Sequence, residues 1–236
     1  LWRIDGGINT TRNKLSFLVY DLDGDGKAEV ASKTGPGTKD GTGEYISKGA
    51  AASYSSTMYI PRSSGNLLTD PAFITVFDGE TGAEKASTDY WPPIGPRSSM
   101  DKTWGDDYGH RASSIKAAVL HRQDRAPLIV YARGIYTRIG MAAYTFDGNE
   151  LKRIWKFDSE DPGNENYRAQ GNHSVSVGDV DGDGSDELMY GACAIDHDGT
   201  GLYSTGYGHG DADHLADHDP DHPGLEFFQP HEDATH

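Results

Sequence analysis

Carboxylates at every second position carry the strongest chemical signal in the chain. Asp21, Asp23, Asp25 and Glu29 hold the first, third, fifth and ninth positions of DLDGDGKAE. Asp179, Asp181, Asp183 and Glu187 hold the same positions of DVDGDGSDE. In such a loop the odd positions point inward, and the sixth-position glycine, Gly26 or Gly184, lets the backbone turn sharply. Lys27 and Ser185 stand at the seventh position, where the loop contributes a backbone carbonyl. Oxygen-only ligands in this number suit Ca²⁺, a hard cation. A solvated acidic turn could show these residues once; recurrence with similar flanks argues for a metal loop.

The elements around the loops decide what kind of loop they are. A helix–loop–helix calcium site needs a Glu at the twelfth position and a helix on each side. Ser32 and Tyr190 stand at that position, and the flanks LSFLVY, EVAS, HSVSVG and ELMYG are short β-branched and aromatic runs. These read as strands, so each loop is expected to be the turn of a β-hairpin.

A second unit, strand–Asp-Gly turn–strand, recurs at 73–88, 142–158 and 193–205, and LWRID at the start matches IWKFD at 154–158. Residues 117–132 look like a loop hairpin that has lost most of its acids, and 215–229 like an altered copy. Alternation of the two units gives four strands per repeat, the plan of a β-propeller blade. The expected fold is all-β, a single propeller segment over 1–236. Its approximate blades are 6–90, 91–158 and 159–210, with a partial blade over 211–236. An insertion at 33–72 interrupts the first blade. Neither end closes a ring, so the reading is a segment of a longer protein or a part completed by a second copy.

Composition sets outer bounds. The chain has 236 residues, 35% hydrophobic, with 30 glycines and 11 prolines that favour tight turns over long helices. The formal charge is −16 and no basic stripe is present, which argues against a nucleic-acid partner. No apolar run approaches the ~18 residues of a membrane span. Cys193 is alone, so no internal disulfide forms. Extracellular calcium modules bind at about 10⁻⁴–10⁻³ M and stay filled only outside a cytosol. An extracellular or periplasmic location is therefore expected.

Several stretches together resemble polysaccharide lyase family 11, the rhamnogalacturonan lyases. They are LWRIDGGIN, YDLDGDGKAEVASKT, GTKDGTG, TWGDDYGHR, YARGIYTR, GNENYRAQGNHSVSVGDVDGDGSDE and AIDHDGTGLYSTGYGHGDADH, in the family's order and across nearly the whole chain. The resemblance implies an eight-bladed propeller, several bound Ca²⁺ ions, and cleavage of the rhamnose–galacturonate backbone of pectin by β-elimination. About half of such a ring would be present. The implied metal residues are the two loop sets above, together with His173, His209 and Asp211. A third loop keeps Asp217, Asp219 and Asp221, but Pro220 breaks its pattern and Glu226 falls at the tenth position instead of the ninth.

The ten histidines are unusual in number. Imidazole chemistry alone favours Zn²⁺ or Mn²⁺ for such a group, whereas the resemblance implies Ca²⁺ at His173 and His209. His218, His222 and His236 read as surface residues. Lys33, Lys39, Arg111, Arg133 and Arg138 stand near the family-like stretches, where positive charge would attract an acidic sugar, and Tyr136 with Trp104, Tyr108 and Tyr207 could stack on sugars or pack between blades. The expected partner is an acidic pectic polysaccharide. In a lyase, charge on a bound cation would make the C5 proton of a uronate removable. The base cannot be named from sequence. Two other readings stay open: a calcium-stabilised propeller that binds without chemistry, and a glycoside hydrolase built on paired carboxylates.

Overall fold

The short β-branched and aromatic runs form strands, as their alternation requires. The computed structural model describes residues 1–11, 15–123 and 125–232. Strands β1 (Phe17–Tyr20) and β2 (Glu29–Thr34) flank the first Asp loop. A long excursion follows, bearing the two-residue strands β3 (Arg62–Ser63) and β4 (Asn66–Leu67). Strands β5 (Phe73–Asp78) and β6 (Glu84–Asp89) then complete a four-stranded antiparallel sheet of order β1-β2-β5-β6. Helix α1 (Met100–Trp104) leads to a second sheet made of β7 (Ile115–Arg122), β8 (Arg125–Arg133), β9 (Gly140–Phe146) and β10 (Leu151–Asp158). A third follows, β11 (Ser176–Gly178), β12 (Glu187–Met189), β13 (Cys193–Ile195) and β14 (Gly201–Ser204), and then the pair β15 (His214–Ala216) and β16 (Glu226–Phe228). β2 runs on through Thr34, so the excursion begins two residues later than the sequence suggested. Among the described residues no helix is long and apolar enough to cross a membrane.

The pleat explains how the sheets stack. Successive side chains of a strand face opposite ways. Ile129 and Tyr131 of β8 join Ala31, Ile74 and Val76 of the first sheet in one core. Leu128, Val130 and Ala132, between and beside them, join Leu188, Tyr190 and Ile195 of the third sheet in another. The second sheet is thus buried on both faces, which is why β8 and β9 are nearly continuous apolar runs.

Two tryptophans repeat one job. Trp2 donates its indole N–H to the carbonyl of Gly79 (3.0 Å) and its ring packs so closely on Gly82 that a Cβ there would sit 2.6 Å from it. Trp155 donates to the carbonyl of His197 (2.7 Å) and lies on Gly199 in the same way. LWRID and IWKFD therefore resemble each other because each lays a tryptophan on an Asp-Gly turn of a four-stranded sheet.

Antiparallel connectivity sorts the turns. Turns after the first and third strands of each sheet lie at one end; connections after the second and fourth lie at the other. The Asp loops and the Asp-Gly turns therefore share an acidic end, where Gly148 of the second sheet approaches Asp23 of the first. Tyr20, His121 and Asp186, one from each sheet, meet there (2.7 and 2.9 Å). The opposite end collects the long loops.

Candidate metal centre

At the acidic end the two Asp loops fold alike. Asp21 accepts the N–H groups of Gly24 (2.8 Å) and Gly26 (2.9 Å), and Asp179 those of Gly182 (2.7 Å) and Gly184 (3.0 Å). All four glycines have positive φ, from 79° to 89°, a conformation costly for other residues. Asp25 and Asp183 each accept the N–H of the seventh residue, Lys27 or Ser185 (2.8 Å). The Lys27 side chain leaves the loop for Glu80 (2.8 Å), so only its backbone carbonyl is left for a ligand role. Glu29 and Glu187 accept the N–H of the second loop residue, Leu22 (3.0 Å) and Val180 (2.7 Å). Ligand oxygens of Asp21, Asp23 and Asp25 lie within 4.8 Å of one another, as do those of Asp179, Asp181 and Glu187.

Charge separates the loops. In the first, the ammonium of Lys85 sits 3.1 Å from both Asp23 and Glu29. Lys85 is the extra residue of a β-bulge in β6, where Val76 pairs with Ala86 but Phe77 pairs with Glu84. The matching bulge in β14 holds Leu202, since Ala194 pairs with Tyr203 and Ile195 with Gly201. The nearest basic group in the second loop is the His197 imidazole, 3.4 Å from Asp183 and 3.9 Å from Glu187. Burial, with Asp181, Asp196 and Asp179 adding to it, pushes the Glu187 carboxyl up to about 7. Its Oε1 is buried with no hydrogen-bond partner. Oxygen donors around an uncompensated buried carboxylate fit a hard divalent cation.

The third loop keeps part of this design. Glu226 accepts the N–H groups of His218 (2.8 Å) and Asp219 (2.9 Å), the role Glu29 and Glu187 play, despite its tenth position. Asp219 accepts the N–H of Asp221 (3.3 Å) as Asp23 and Asp181 accept theirs, but its second oxygen is turned to His222 (2.8 Å). Among the described residues, Asp217, Asp219, Asp221 and Glu226 do not gather into a ligand group as the other loops do.

The long-loop end holds a different cluster. Asn172 bridges Gly210 in parallel, and Gly210 bridges His231 antiparallel. These three backbone segments lie side by side, so His173, His209 with Asp211, and Glu232 converge from beside them. His173 Nε2 is 3.7 Å from Asp211 and 3.0 Å from the Tyr136 hydroxyl. His209 Nδ1 lies 2.8 Å from the carbonyl of Gly171. A carbonyl only accepts, so Nδ1 carries the proton and Nε2 the lone pair. That Nε2 is buried without a hydrogen-bond partner and lies 3.8 Å from Glu232. The Tyr136 ring packs on His209 (4.2 Å between centroids), and the Arg111 guanidinium lies 4.5 Å above that ring. Asp106 holds the loop carrying Arg111 by accepting its N–H (2.6 Å) and that of Gly109 (2.8 Å). Burial, Glu232 and Asp211 together raise the Tyr136 phenol. Two imidazoles and two carboxylates around an orphaned lone pair fit a divalent metal. Glu232 was not foreseen: it follows no motif, and only the bridge of its neighbour His231 to Gly210 and its own N–H bond to the His209 carbonyl (3.2 Å) reveal it.

The other expected sugar contacts are dispersed. Arg138 pairs with Asp158 through two nitrogens and lies 5.2 Å over Trp104. Trp104 is itself 1% exposed and donates to Ile94, so it is a packing residue. Lys39 sits over Tyr45 (4.8 Å). Lys33 and Arg133 are inside the molecule. Tyr108 and Tyr207 are exposed. His236 lies outside the described residues.

Comparison with known proteins places this geometry. Residues 1–236 match the family "Rhamnogalacturonan lyase family 11, C-terminal domain". The chain belongs to rhamnogalacturonan lyase family 11. Over its whole length it is 50% identical to rhamnogalacturonan exolyase YesX and 46% identical to rhamnogalacturonan endolyase YesW, both of Bacillus subtilis (strain 168). It spans 37% and 36% of those proteins. The structure of a Bacillus licheniformis rhamnogalacturonan lyase matches with a TM-score of 0.90 at 49% identity, over 99% of this chain and 38% of that one. Family 11 members that cut internally and from chain ends are similar to it to nearly the same degree, so overall identity does not separate the two modes.

Proposed function

We propose that the chain forms part of a calcium-dependent rhamnogalacturonan lyase that cleaves the rhamnose–galacturonate backbone of pectin by β-elimination, outside the cytosol. The single observation carrying this is the long-loop cluster of His173, His209, Asp211 and Glu232 beneath Tyr136 and Arg111. In this reading the three four-stranded sheets and the β15–β16 pair are successive blades of a propeller, and the long-loop end faces substrate. The Asp loops hold structural Ca²⁺ at the opposite end.

A cation at the cluster would supply positive charge to a uronate carboxylate and to the charge that develops as C5 loses its proton. His209 offers Nε2, and its Nδ1 bond to Gly171 fixes the ring that presents it. Asp211 and Glu232 offset the cation's charge. Arg111, fixed by Asp106 and resting on Tyr136, offers a permanent positive group for the acidic sugar. Lys39 and Arg138 are less suited: one rests on Tyr45 and the other is already paired with Asp158.

Incubation with rhamnogalacturonan, followed by ultraviolet absorbance of unsaturated uronate with and without chelator, tests the reading. Absorbance that depends on added Ca²⁺ supports it. A saturated product points to a hydrolase, and binding with no product points to a non-catalytic propeller.

A further inference from the structure

Lys33 and Arg133 face each other inside the molecule. Lys33 lies near the end of β2, two residues after Ala31; Arg133 ends β8, two residues after Tyr131. Ala31 and Tyr131 both belong to the core between the first and second sheets, and alternation turns Lys33 and Arg133 to that same side. Arg133 is 0% exposed and Lys33 5%.

The surroundings leave positive charge unanswered. One guanidinium nitrogen of Arg133, Nη1, donates to the carbonyl of Ala112. The other two, Nε and Nη2, are buried and have no hydrogen-bond partner. These two form the edge of a guanidinium that grips an anion side-on. The Tyr131 hydroxyl is likewise buried and unpartnered. The Tyr90 ring touches both, 4.6 Å from the guanidinium and 5.8 Å from the Tyr131 ring centre. Asp70 is the carboxylate that acts on both cations, but its oxygens accept the N–H groups of Ile94 (3.1 Å) and Gly95 (2.9 Å). Arg138, a further positive group near Arg133, is neutralised by Asp158. A guanidinium cannot shed its proton, so the charge of Arg133 is permanent.

We propose that this place between the first two sheets is an anion site, in which a small monovalent anion of halide size rests against Arg133 Nε and Nη2 and Tyr131 Oη, with Lys33 as the second cation. Arg133 and Tyr131 are fully buried, which favours a small ion over a polymer as the occupant. Burial first, and then the neighbouring Arg133, bring the Lys33 ammonium down to about 7, with Asp70 opposing the shift only in part. The role differs from sugar binding: it is a counter-ion between two sheets, placed behind the long-loop end.

Thermal unfolding of the calcium-saturated protein is measured as sodium gluconate is replaced by sodium chloride at fixed ionic strength. The melting temperature should rise saturably by roughly 2–4 °C, and sodium bromide should act alike. In Lys33→Met, which keeps the volume of the side chain, most of that rise should vanish. Crystals grown in bromide should give an anomalous peak within hydrogen-bond reach of Arg133 Nε and Nη2. A halide response undiminished in Lys33→Met, or a water with no anomalous signal at that position, overturns the proposal.

Discussion

The two ends of the molecule are built on opposite plans. At the acidic end each candidate metal site is written within nine consecutive residues, and its glycines fold it locally. At the long-loop end one cluster draws on segments from Arg111 to Glu232, three of them joined only by isolated backbone bridges outside any sheet. Local loops can be repeated with little change, since each depends on its own hairpin. A cluster assembled from several connections depends on every sheet being in place. The first plan suits holding the structure together; the second suits a unique site.

The sharpest way to break this comparison is to remove one donor at each end. In the lyase proposed above, His209→Ala should lower activity about 100-fold or more while changing the melting temperature little. Asp181→Asn should do the reverse. Equal effects of both on activity would sink the division of labour.

Lys33 comes next in expected size. Its folded pKa, about 7, lies below the unfolded value, so its penalty is absent above pH ~10.5, grows as pH falls toward 7, and is complete below. In gluconate, Lys33→Met should therefore stabilise by about 1–4 kcal/mol at pH 6 and by nothing above pH ~10.5. A pH-independent gain in chemical denaturation would contradict this.

Within the acidic end, the loops themselves differ. Glu187 lacks the ammonium that Lys85 gives Glu29. Glu187→Gln should stabilise the chelated protein by about 1–3 kcal/mol, yet weaken its response to calcium. Lys85→Met should cost about 1 kcal/mol in chelator, and less once calcium is added. Terbium luminescence titrations of the two variants would show whether the second loop fills first, as their charges require.

Much of the acidic end was legible because the signal is short-range. Odd-position carboxylates and sixth-position glycines dictate the same hydrogen bonds in both loops wherever the hairpin lies. The repeat of loop hairpin and Asp-Gly hairpin carried the four-stranded sheets, and the LWRID–IWKFD match marked a tryptophan that lies on a turn. Less was legible where partners are distant. Trp104 could stack on a sugar or pack between blades and Arg138 could attract one; the structure packs one on the other and gives Arg138 to Asp158. Nothing in the spacing of Lys33 or Arg133 tells that strand alternation turns both inward.

The sequence by itself determined the strands, the Asp loops, the family and His173, His209 and Asp211 as candidates. Those features are set by neighbours along the chain, through pleat, turn and spacing. Tertiary structure alone decided that Glu232 joins the histidines, that Lys85 answers the first loop while Glu187 goes unanswered, and that two cations face each other in the core. Each of those depends on which sheets pack together and in which register, and no local pattern fixes that.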